Sequence, residues 1–224
     1  MIVNFENVSI HEHGMSCLFW NCDNLKRISL INTPKDNGSW IDGLFFGCNG
    51  LEAIGLPDFD TSNVVTMNHM FYECYILKNI DLSKLNTSNV RDMHSTFESC
   101  ESLTKLDLSN FDTHNVKDMG SMFESCISLD SLDLSNFDTR NIASMDAMFR
   151  ECLSLEYLDI SNFILRGNIS TSVMFYGCES LKAIYLPKDS ESRKIIIEQL
   201  KKDGIHCNIV SHNQVNIGNI GKQA

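Results

Sequence analysis

Cysteine returns at one fixed interval through most of this chain. Cys22, Cys48, Cys74, Cys100, Cys126, Cys152 and Cys178 stand 26 residues apart, and a leucine follows each three places on, from Leu25 to Leu181. A closed globular core gives every element different neighbours and imposes no such interval. A strict period means one supersecondary unit stacked on copies of itself, with the core shared between coils. The 224 residues therefore read as one elongated solenoid, not as two globular domains.

The coil 100–125 shows how a unit is built. Leu106 and Leu108 alternate with Lys105 and Asp107, the two-residue rhythm of a strand. Met119, Met122, Phe123 and Cys126 then fall at i, i+3, i+4 and i+7, the one-sided spacing of a short helix. Between them Asp112-Thr113-His114-Asn115 is a run of turn formers. Other coils repeat these columns: Ile28 to Ile184, Leu30 to Leu186, and an aromatic spine of Phe19, Phe45, Phe71, Phe97, Phe123, Phe149 and Phe175. A lone coil buries too few side chains to offset the entropy of ordering its backbone, so stacking is obligatory. The expected fold is an α/β repeat solenoid, with a parallel sheet on one face and short helical turns on the other.

Residues 1–17 read as an N-terminal cap, 18–186 as a solenoid of about seven coils, and 187–210 as a C-terminal cap of one helix and a short strand. In that cap Ser190 is the expected N-cap, Ile195, Ile196, Gln199 and Leu200 the apolar side, and Gly204 the stop. Residues 211–224 form a polar tail.

Coil 100–125 and its neighbours resemble the BspA-like leucine-rich-repeat surface protein family. The resemblance rests on LxxLxL followed by SNFDTxNVxxMxxMFxxCxxL, clearest from Leu103 to Cys126 and from Leu129 to Cys152. It implies a curved leucine-rich-repeat solenoid used in adhesion or protein binding, and a location at the cell surface or outside it. The sequence pulls the other way on location. Its first residues lack the pattern of a secretory leader, and its nine cysteines are an odd set, which together favour the cytoplasm.

The net charge of −11 weighs against a nucleic-acid or anionic-membrane surface and suits a basic partner. No apolar run has the length of a membrane span. The cysteine column reads as small buried hydrophobes, since a straight row cannot wrap a metal and seven in line cannot all pair. The Thr61, Thr87, Thr113, Thr139 and Asn63, Asn89, Asn115, Asn141 columns read as hydrogen-bonding ladders between coils. His69, His94 and His114 have no repeating nucleophile beside them, and His11 and His13 lack further ligands for a metal. No nucleophile elbow, zinc-helix motif or phosphate loop occurs. The chain is expected to be no enzyme and to need no cofactor.

What remains is the outward row of each strand, one pair of residues per coil. Asn79, Asp81, Lys105, Asp107, Asp133, Tyr157, Asp159 and Tyr185 are the candidate partner-binding residues on that face, with the two tyrosines as anchors. The stacked Asp81, Asp107, Asp133 and Asp159 repel one another by roughly 1 kcal/mol per neighbouring pair in water. Local hydrogen bonds, a basic protein or a calcium ion would each relieve this. The first functional expectation is a non-catalytic protein-binding module, monomeric in preference. The alternative is a structural component that self-assembles through its ends or edges.

Overall fold

The computed structural model describes residues 1–4, 14–32, 40–57 and 59–210. His11, His13, the segment 33–39 and the tail 211–224 lie outside the described residues. Equivalent side chains are filed one above another as the period demands. The phenylalanine rings from Phe19 to Phe175 form one continuous stack with centroids 5.4–5.9 Å apart and ring planes within 14° of each other. Met, Leu and Cys columns pack around it in a single core running the length of the molecule.

The chain is a β-solenoid. Its elements are β1 (Ile2–Asn4), β2 (Arg27–Ile31), β3 (Ala53–Gly55), β4 (Asn79–Ile80), β5 (Ser131–Asp133), β6 (Tyr157–Asp159), β7 (Ala183–Tyr185), α1 (Ser190–Lys202) and β8 (Asn208–Val210). All strand pairs are parallel, and between coils they keep the 26-residue register: Arg27 faces Ala53, Ala53 faces Asn79, Ser131 faces Tyr157, and Tyr157 faces Ala183. The strands divide into two sheets, β1-β2-β3-β4 and β5-β6-β7-β8. The coil 100–125 lies between them and contributes no strand, although Lys105 to Leu108 has the same alternation as its neighbours.

The opposite face carries the helical turns, and their hydrogen bonds define what kind they are. In the coil 100–125 the N–H groups of Met122, Glu124 and Cys126 donate to the carbonyls of Met119, Ser121 and Phe123, closing three consecutive i→i+3 turns. The N–H groups between them, on Met119, Ser121, Phe123 and Ser125, donate instead to Ser144, Asp146, Met148 and Arg150 on the next coil. An α-helix would send every N–H back along its own chain and leave none for a neighbour. The expected short helix is therefore a train of single turns that shares its donors between coils.

Such turns need left-handed backbone at two positions per coil, met here by Ser121 (φ 52°) and Ser125 (φ 58°). The first column also holds Cys17, Gly43, His69, Ser95, Ala147 and Val173. The second holds Asn21, Gly47, Glu73, Ser99, Glu151 and Gly177. Non-glycine residues there cost of order 1 kcal/mol each, a strain that the ladder of intercoil bonds holds in place.

The corners are tied as the threonine and asparagine columns suggest. The Thr113 hydroxyl donates to the Asp138 carbonyl at 3.1 Å and accepts from the Asp138 N–H at 2.8 Å. Thr61, Thr87 and Thr139 repeat this reciprocal pair. Asn115 donates 2.7 Å to the Ser88 carbonyl of the preceding coil, with Asn89 and Asn141 in the same role. At the C-terminal end the N-cap of α1 is Asp189, one residue before the expected Ser190. Its carboxylate accepts from the Ser192 N–H at 3.0 Å and from Arg166 at 2.9 Å. A carboxylate satisfies the first helical turn better than a neutral hydroxyl because it also meets the helix dipole.

Candidate binding face

The candidate residues do share one face, but they do not share one environment. Asn79, Asp81, Lys105, Asp107 and Asp133 are exposed, Tyr157 is half-buried, and Asp159 and Tyr185 are buried at 6% and 4% exposure. The expectation of two exposed tyrosines on neighbouring coils is corrected here. Tyr157 is flanked across the sheet by the small Ser131 and Ala183. Tyr185 lies between Asp159 and Val210, and β8 covers one of its flanks. The bulk of Tyr185 in turn hides Asp159. Register, and not residue type, sets the difference.

Four carboxylates of the acidic column are held in the same local way. Asp81, Asp107, Asp133 and Asp159 each accept from the backbone N–H two residues on, at 2.8–2.9 Å. The resulting hydrogen bonds from Ser83 and Ser109 hold the Asp81 and Asp107 carboxyls below the usual carboxylate range. Their mutual repulsion is thus relieved partly by their own turns. None of the four is in an ion pair among the described residues. The Tyr185 phenol is pushed up by burial, then by the Asp159 charge and by Tyr157.

A groove of about 530 Å³ opens on this face where the two sheets part. Its walls include Lys105, Asp107, Asp133, Tyr157, Asp159 and Tyr185. Asn79 and Asp81 stand outside it, so the structure brings six of the eight candidates together. On either side of the sheet break a regular backbone bond joins successive coils: Glu52 donates to Lys26, Lys78 to Glu52, Glu156 to Asp130, and Lys182 to Glu156. Among the described residues no backbone–backbone bond of this kind links Thr104–Asp107 to either neighbouring coil. Sequence reasoning missed both the break and the groove, because nothing in Lys105-Leu106-Asp107-Leu108 sets it apart from a paired coil.

Other columns that carry reactive groups are committed to structure. Six thiols, from Cys48 to Cys178, each donate to a phenylalanine carbonyl 29 residues earlier at 2.9–3.3 Å. Burial pushes the Cys48 thiol up to about 11 and those of Cys126 and Cys178 up to about 12, far from the thiolate a nucleophile or metal ligand needs. All nine cysteines are free. On the turn face His69 and His94 are half-buried with ring centroids 5.4 Å apart, while His114 pairs with Asp112 at 2.6 Å. No group of three or more His, Cys, Asp or Glu among the described residues is placed to hold a metal ion. No helix among them is long and apolar enough to cross a membrane.

The class defined by this geometry is a repeat solenoid with a grooved sheet face. A family model described as "Mycoplasma protein of unknown function, DUF285" matches residues 6–105, 39–152 and 77–185, in overlapping windows that together run through the stacked coils. The chain belongs to that family. No curated protein matches it.

Proposed function

We propose that this chain is a non-catalytic binding module that holds a segment of a protein partner in the groove of its sheet face. The observation that carries the proposal is the groove itself. It falls at the one coil where the strand ladder is interrupted, and its volume lies within the ~300–1,000 Å³ of ordinary ligand sites. A half-buried tyrosine and a buried one stand in its walls, the residue type that most often anchors interfaces. A scaffold fixed by intercoil bonds on its far face loses little freedom on docking, which favours recognition. The commitment of the thiols to hydrogen bonds supports a role without covalent chemistry. The resemblance to BspA-like proteins makes adhesion the first use to test.

A photo-crosslinking residue placed at Asp107, followed by capture from the native source, tests this reading. The expected result is a discrete crosslinked protein, lost in Tyr157→Ala and Asp133→Lys variants that keep native circular dichroism. A partner whose crosslinks lie wholly on the turn face overturns it.

A further inference from the structure

We propose that the C-terminal end of the solenoid is an interface for a second copy of this chain, joined about a two-fold axis. The proposal goes beyond the groove reading and is independent of it. β8 is the last strand of its sheet, and among the described residues nothing pairs with its outer edge. Asn208 turns its N–H to the Lys182 carbonyl, so by the alternation of a strand Ile209 aims its own N–H and C=O at that open edge. Proteins usually blunt such an edge with lysine, proline or a bulge. Asn208-Ile209-Val210 carries neither lysine nor proline. The core is open at the same place. Ile209 is the register partner of Ile184, which is fully buried, yet Ile209 itself is 56% exposed. The aliphatic column inside the solenoid thus ends uncovered. Ile209 lines a cavity of about 790 Å³ together with Ile197, Leu200 and Ile205.

The charges on α1 say what kind of surface covers this end. The helix buries Ser192, Ile196, Gln199 and Leu200. On its outer side Glu191, Lys194, Glu198 and Lys201 are exposed and form one row at i, i+3, i+7 and i+10. Their signs alternate, so the row is the complement of itself read backwards. Laid antiparallel on a second α1, Glu191 meets Lys201 of the other copy, and Lys194 meets Glu198. Within one copy the row is held loosely: Lys194 lies 3.9 Å from Glu198, and Glu191 lies 3.5 Å from Arg166. The two-fold that reverses α1 also sets β8 antiparallel to its mate, Ile209 facing Ile209 and exchanging both backbone bonds. Both open edges are consumed at once, which gives a closed dimer and not a fibre.

Analytical ultracentrifugation of the full chain tests this. For an interface of one strand edge and one helix face, the mass is expected to pass from monomer to dimer between about 1 and about 100 µM and to rise no further. Ile209→Lys puts a charge on an exposed position of the edge, so the variant folds, and it should raise the dissociation constant at least about tenfold. Lys194→Glu and Glu198→Lys each oppose like charges across the axis and should weaken the dimer about fivefold. Combined in one chain they restore opposite pairs, and the affinity should return to within about twofold of the original.

A monomer at the top of that concentration range overturns the proposal. So does a mass that keeps climbing past the dimer, the mark of β8 meeting a different edge such as β1. Charge variants without effect, or a double variant no better than the single ones, remove the two-fold. A monomer whose Ile209 N–H is nonetheless protected from exchange assigns the edge to residues 211–224 and sinks the pairing as well.

Discussion

The two long faces of this solenoid are built on the same 26-residue period and behave differently. On the turn face four N–H groups of each coil donate to the next in every step, from Met15–Asn21 onto Trp40–Phe46 through to Met145–Glu151 onto Ser170–Tyr176. A row of parallel bridges, Trp40 to Thr66, Asp92, Asp118, Ser144 and Ser170, runs beside it without a gap. On the sheet face the strands are two to five residues long and the ladder stops at one coil. The lesson is a division of labour. Cohesion comes from the turns, the threonine corners and the phenylalanine stack, which leaves the sheet free to open a groove.

Hydrogen exchange gives the sharpest test of that division. The amides of Met119, Ser121 and Phe123 are expected to exchange at least a hundredfold more slowly than those of Lys105 and Asp107 in the same coil, because unbonded, partly exposed backbone opens at little cost (roughly 0 kcal/mol against the global value). Equal rates would dissolve the contrast. Core truncations should follow the same line. Phe97→Ala, at the centre of the stack, is expected to cost about 3–5 kcal/mol in urea unfolding. Leu106→Ala, half-buried at the break, should cost no more than about 1.5 kcal/mol.

Corner and cap come next. Thr113→Val removes a buried hydroxyl that serves both a donor and an acceptor of the next coil, and should destabilise by about 1–3 kcal/mol. Asp189→Ala should cost about 1 kcal/mol at neutral pH. Burial raises the Asp189 carboxyl, but hydrogen bonds from Ser192 and Arg166 outweigh it and bring it down to about 2 from an ordinary 3.8. The stabilisation is therefore complete above 3.8 and disappears as pH falls towards 2, and the variant's deficit should shrink over that window.

The smallest effects separate two adjacent rings. His69 is pushed below its ordinary 6.5 by burial and then by His94, whereas His94 is raised by its hydrogen bond to Asp118. His94 thus contributes stability that is complete below 6.5 and fades as pH rises through its higher folded value. His69 does the reverse and weakens the fold as pH drops below 6.5. His94→Gln and His69→Gln should show opposite slopes of a few tenths of a kcal/mol between pH 5 and 8, given their partial exposure. Parallel slopes would remove the contrast.

How much of this was legible in the sequence depends on how far each feature repeats. The phenylalanine stack, the thiol row and the threonine corners occur in nearly every coil, so their columns announce themselves. The turns look helical in sequence because Met119, Met122, Phe123 and Cys126 satisfy helical spacing, and a train of i→i+3 turns puts the same residues inward. What distinguishes the two is glycine: Gly43, Gly47 and Gly177 fall in the two left-handed columns, which a helix does not have. The groove was beyond reach. Tyr185 is buried by a neighbour from β8, outside the period, and the sheet opens at a coil whose strand residues look like all the rest.

The row of thiols has a practical consequence. Each sulfhydryl from Cys48 to Cys178 is engaged with a carbonyl inside the stack, so an alkylating reagent can reach it only when its own coil parts from the one before. The molecule therefore carries a gauge at every level of its axis. Labelling rates read in order along the chain would report where the column first comes apart, and in which direction the opening travels.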